Sequence, residues 1–110
     1  MNLACNGNIV TWGGGELTFS IRPAEAILVD GKVIVIHDRR AYPMESPCQN
    51  LIAYSMTGEL QWKAELPLSG PATAYVSFIN ESPLKAYNFA GFVCTIDPGT
   101  GGLLESVFTK

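Results

Sequence analysis

Polar and apolar positions alternate in short bursts along most of this chain, and turn residues separate the bursts. From Asn50 to Pro67 the sequence reads NLIAYSMTGELQWKAELP. Asn50 to Tyr54 is apolar and β-prone, Ser55 to Gly58 has turn chemistry, and Glu59 to Ala64 alternates, placing Leu60 and Trp62 on one face and Gln61 and Lys63 on the other. Period-two alternation predicts half-buried strands, here joined as a hairpin. The same texture recurs at Asn8 to Pro23 and at Gly91 to Phe108, with Gly15, Gly58 and Gly101 spaced 43 residues apart. Leu17, Leu60 and Leu103 follow at matching places. A β-rich repeat of roughly 40–45 residues is the spacing of propeller blades.

Between the hairpins the pattern predicts further strands. Asp30-Gly31 separates Ile27–Val29 from the run Val33, Ile34, Val35, Ile36. A two-residue Asp-Gly link is a strong hairpin signal. Strands this continuously apolar are expected to be buried on both faces. Gly13, Gly14 and Gly15 are expected to turn the first hairpin through positive φ. Residues 1–7 read as a lead-in, and Arg39 to Gln49 as the longest loop. Pro67 to Pro71 reads as a turn. Ala72 to Asn80 alternates, with Ala72, Ala74, Val76 and Phe78 opposed to Thr73, Tyr75, Ser77 and Ile79; Leu84 to Ala90 is a further strand, and Asp97 to Gly102 turns the last hairpin. The expectation is a single all-β domain over residues 1–110: an antiparallel meander of about ten short strands in three hairpin repeats, folded as an open, partial propeller or as a small sandwich or barrel.

Thr57, Gly58 and Trp62 carry a T-G-x-x-x-W pattern that resembles the repeats of quinoprotein-type β-propellers. The resemblance implies blade-like hairpins in which the tryptophan packs between neighbouring blades. The first unit has Gly14 and Phe19 at the corresponding places, and the third has Glu105 where Trp would stand. Two and a half units do not make a ring, so the resemblance implies architecture and no quinone cofactor.

Composition narrows the function classes. With 47% hydrophobic and 15% charged residues, a packed core is expected rather than disorder. A net charge of −3 argues against direct nucleic-acid binding and suits a basic protein partner. Cys5, Cys48 and Cys94 are odd in number and form no CxxC, which fits a reducing, cytoplasmic setting with structural thiols. No apolar run of spanning length occurs, so no membrane association is expected. His37 is the sole histidine, and its neighbour Asp38 should point to the opposite strand face. No metal site, cofactor site or catalytic set is therefore expected.

In size, acidity and β-content the chain is similar in type to the small immunity proteins of bacterial toxin systems, including contact-dependent growth inhibition. That resemblance implies a cytosolic, non-enzymatic protein that covers the active site of a basic, nuclease-type toxin. Arg40 and Tyr42, beside Glu45 in the long loop, are the expected exposed anchors, with Glu45, Glu59 and Glu65 as phosphate-mimicking acids. Two alternatives stand beside it. One is a small-ligand-binding or enzymatic barrel with Trp12, Tyr42 or Tyr54 lining its mouth. The other is a self-associating propeller module.

Overall fold

The computed structural model describes residues 2–43, 47–68 and 73–109. Eleven strands form among these residues, arranged in three antiparallel sheets that each run as a meander in chain order. The first sheet holds β1 (Ala4–Asn6), β2 (Ile9–Trp12) and β3 (Gly15–Thr18). The second holds β4 (Pro23–Val29), β5 (Lys32–His37), β6 (Leu51–Ser55) and β7 (Leu60–Lys63). The third holds β8 (Tyr75–Asn80), β9 (Lys85–Asn88), β10 (Phe92–Ile96) and β11 (Leu103–Phe108). The repeated hairpins are thus the last two strands of each sheet, and no sheet closes into a barrel.

The second sheet lies between the other two. Side chains alternate across a strand, and β5 uses both sides. Val33 and Val35 enter a core shared with Val10 and Leu17 of the first sheet, Phe19 just after it, and Ala26. Ile34 and Ile36 enter the larger core shared with Tyr75, Ala86, Cys94 and Ile96 of the third. The continuous apolar run is buried on both faces, as its pattern requires. Asp30 (φ 50°) and Gly31 (φ 73°) supply the two left-handed residues that a tight hairpin between β4 and β5 needs.

Trp62 fastens the second sheet to the third. Its indole Nε1 donates to the Pro98 carbonyl at 2.9 Å. Its ring lies where a Cβ on Gly101 would fall, 2.5 Å from the nearest ring carbon. Glu65 strengthens the seam: its N–H donates to Gly101 O (2.9 Å), and its carboxylate accepts from Leu103 N–H (2.8 Å). Tyr75 Oη donates to the Glu65 carbonyl at 2.6 Å.

Several sequence expectations are corrected. β1 forms inside the supposed lead-in, and Leu3 N–H donates to the Ala26 carbonyl at 2.9 Å. Gly13, Gly14 and Gly15 do not adopt positive φ. Gly14 and Gly15 instead make room for the Trp12 indole, which a Cβ at either would meet at 3.3 Å. Leu60 and Trp62 do not share a face: a register shift pairs Trp62 with Ala53 but Leu60 with Tyr54, so Trp62 is buried and Leu60 is 57% exposed. In β8, Val76 and Ile79 are the extra residues at two bulges and face solvent, while Tyr75 is buried. The alternation expected there is broken by those bulges. Residues 69–71 of the expected Pro67 to Pro71 turn, and Ala72, lie outside the described residues.

Gly101 should tolerate alanine poorly. A Cβ there meets both a left-handed backbone (φ 79°) and the Trp62 ring. Gly101→Ala is expected to lower unfolding free energy by about 3 kcal/mol in urea titration. Gly7→Ala has a similar φ but open space around the site, and should cost only about 1 kcal/mol. Equal losses would mean that the Trp62 contact contributes nothing.

Candidate functional site

His37 ends β5 on the side facing the first sheet and is almost fully buried. Its Nδ1 lies 3.0 Å from the Ile21 carbonyl and its Nε2 lies 2.8 Å from Tyr54 Oη. A carbonyl only accepts, so Nδ1 carries the proton and Nε2 accepts from the tyrosine. Phe19 packs against both rings, with centroids 5.3 Å from His37 and 4.7 Å from Tyr54. Burial pulls the His37 pKa below its usual value, opposed by hydrogen bonds with backbone groups. Burial, with Tyr42 nearby, pushes Tyr54 up to about 12. Both groups are held neutral and bonded to each other, the pattern of a structural pair.

Asn50 is the polar centre of the opposite side. It is fully buried, donates to the carbonyls of His37 (2.8 Å) and Tyr75 (2.9 Å), and accepts from Tyr75 N–H (2.8 Å). One amide side chain therefore joins the end of β5 to the start of β8. Sequence reading missed it, counting Asn50 only as the start of a strand. A lone Asn before an apolar β-run was the available signal.

The long loop opens with a 3₁₀ turn, Arg39–Ala41, capped by Asp38. Arg40 is exposed, and its guanidinium pairs with the Asp38 carboxylate at 3.0 Å. The hydrogen bonds and charge of Arg40 hold the Asp38 pKa low. Arg39 lies over the Phe89 ring, 5.6 Å from its centroid. Tyr42 is half-buried rather than fully exposed, and burial followed by the nearby Cys48 raises its pKa. Glu45 lies outside the described residues. Glu59 is exposed on the β6–β7 turn, between Met56 and Leu60. Glu65 is solvent-accessible, but its carboxylate is engaged by the Leu103 N–H. The structure therefore does not gather Arg40, Tyr42, Glu59 and Glu65 into one constellation through direct bonds.

Trp12 and Tyr54, expected at a barrel mouth, instead pack against the core between the first and second sheets. A groove of about 330 Å³ is lined by Asn2, Cys5, Glu25 and Phe78 among others. Glu25 Oε1 accepts from Phe78 N–H across it at 3.0 Å, tying β4 to β8. Burial raises the pKa of all three thiols, which keeps them protonated and weakly nucleophilic near neutrality. Among the described residues no group of three or more His, Cys, Asp or Glu could hold a metal ion. Among the described residues no helix is long and apolar enough to cross a membrane.

Three stacked antiparallel meanders held by buried polar clamps define a small all-β protein. The chain belongs to the family described as domain of unknown function DUF7957, whose model matches residues 1–108. No curated protein and no solved structure gives a match.

The His37 bond carries a pH signature. Above the ordinary imidazole value of 6.5 both folded and unfolded rings are neutral and the contribution is complete. As pH falls below that value the unfolded chain takes up a proton that the folded ring resists, so stability declines, by at most about 1.4 kcal/mol per pH unit. Urea midpoints should fall between pH 7.5 and pH 5.5, and His37→Gln should flatten that dependence while lowering stability at pH 7.5. An unchanged slope in the variant would refute the assignment. Asn50→Leu is expected to cost about 3 kcal/mol in the same assay, because buried backbone groups of His37 and Tyr75 lose their partner.

Proposed function

We propose that this chain is a non-catalytic protein-binding module, and that it acts as an immunity protein neutralising a basic, nuclease-type bacterial toxin by covering its active site. The observation that carries the reading is the tip of the β6–β7 hairpin. Met56 (42% exposed) and Leu60 (57% exposed) flank the exposed Glu59 there. Apolar anchors beside an acid form the kind of patch that seats a basic partner surface: the anchors supply desolvated contact area, and the carboxylate steers encounter. The net charge of −3 supports the same partner chemistry. The internal commitment of His37, Tyr54 and Asn50 also supports it, since these groups serve the fold.

The architecture we infer is an open arc of propeller-type blades. Its support is Trp62, seated between the second and third sheets over Gly101 as the quinoprotein-type resemblance implies. Leu17 stands in the same relation to Gly58, 3.3 Å from where a Cβ would lie. With Cys5, Cys48 and Cys94 all unpaired, we place the site of action in the reducing cytoplasm.

The test is co-expression with the product of the neighbouring gene, followed by affinity measurement on the purified pair. The expected result is a complex that weakens with added salt, and a Kd at least about tenfold higher for Glu59→Lys at unchanged thermal midpoint. A neighbouring product that is no toxin and does not bind ends the proposal.

A further inference from the structure

The outward face of the third sheet differs from its counterpart in the second in an instructive way. In the second sheet the register aligns Ile34, Ala53 and Trp62 in one row across β5, β6 and β7, and that row is buried. In the third sheet the corresponding row is Lys85, Thr95 and Glu105. The neighbouring row, Tyr87, Val93 and Val107, remains apolar and runs out to the open edge of β11. Val107 is 47% and Phe108 58% exposed.

No strand pairs with the far side of β11 among the described residues. The other edges are protected. β4 is bridged by Asn2, β8 is broken by bulges, β7 carries a bulge and the exposed Lys63, and β1 and β3 are only three and four residues long. β11 has six residues with one bulge near its start, at Leu104; from Glu105 to Phe108 it is regular, with no proline, lysine or arginine and Glu105 as its one charge. A regular, uncovered edge whose last positions carry no charge pairs readily with another strand. The Thr109 N–H donates to Gly91 O, on the β10 side. By antiparallel alternation Ser106 and Phe108 then turn their backbone N–H and C=O groups outward.

We propose that β11 is a self-pairing edge, at which two copies of this chain join antiparallel about a twofold axis through Val107. The register follows from geometry. A twofold axis normal to the sheet can oppose only residues of the same face, so it must pass through a residue position. Centred on Val107, it carries the Tyr87–Val93–Val107 row unbroken into its mate. Ser106 and Phe108 exchange backbone hydrogen bonds with Phe108 and Ser106 of the second copy. Glu105 opposes Thr109, and the two Glu105 carboxylates stand about 13 Å apart along the seam. Centred on Ser106, each Glu105 would instead be pressed against Val107 of the other copy, which desolvates a carboxylate without a partner.

The seam is independent of the function proposed above and is tested on the full chain alone. Sedimentation from about 1 to 200 µM should show a dimer of twice the chain mass. Val107→Lys opposes two ammonium groups at the axis and should sediment as monomer throughout, with unchanged far-UV circular dichroism and the thermal midpoint that the native chain shows when diluted to monomer. Thr18→Lys on the β3 edge should remain dimeric. Val107→Cys should form a covalent dimer on mild oxidation, beyond any seen for the native thiols, because opposed residues in a non-hydrogen-bonded pair lie about 4.5 Å apart at Cα. Ser106→Cys should not. A native chain that is monomeric across this range overturns the proposal, whether or not the same edge takes up a strand from another protein. So does a dimer that survives Val107→Lys, or one that Val107→Cys fails to cross-link.

Discussion

β5, at the heart of the middle sheet, has no solvent face, and the rest of the molecule follows from that constraint. A sheet of this width buries one side easily in a small protein. Burying both requires a partner on each side, and the chain supplies them from its two ends. β5 is the element most exposed to the demand, since Val33 and Val35 need the first sheet while Ile34 and Ile36 need the third. Each buried aliphatic side chain contributes roughly 1.5–3 kcal/mol, so neither flanking sheet can be withdrawn without leaving one set in water.

Stacking sheets by hydrophobic contact alone would leave their relative placement loose, because apolar packing is not directional. Polar clamps set it. Asn50 ties β5 to β8 through its amide, and Trp62 with Glu65 ties β7 to the turn before β11. On the first-sheet side His37 donates to the Ile21 carbonyl in the segment that follows β3, and Phe19 of that segment packs on the His37 and Tyr54 rings. Buried amide and imidazole groups are costly when unpaired, so each clamp penalises any other placement of the sheets. The groups that would attract notice as chemistry are for this reason spent on position.

The ends of the stack are finished differently from its middle. Where the second sheet presents Ile34, Ala53 and Trp62, the third presents Lys85, Thr95 and Glu105. The first sheet turns Asn6, Thr11, Glu16 and Thr18 away from its core, with Ile9 among them. Charged and hydroxyl side chains thus stand on the outer faces of both flanking sheets, on the third beside the apolar row of Tyr87, Val93 and Val107.

The all-β class, the three repeated hairpins and the doubly buried run were legible along the chain, because period-two alternation and turn residues are local signals. The Asp30-Gly31 turn was legible for the same reason. Bulges were not: one extra residue in β7 and two in β8 reversed the facing of Leu60, Val76 and Ile79, and register depends on the partner strand rather than on the strand itself. Nor could the chain alone show that Glu65 is engaged by Leu103, that Tyr42 is half-buried, or that Asn50 joins two sheets, since those contacts link residues far apart in sequence. Local pattern decided which segments became strands. Only the stacking of three sheets decided which side chains they hide, because burial is a property of what lies opposite.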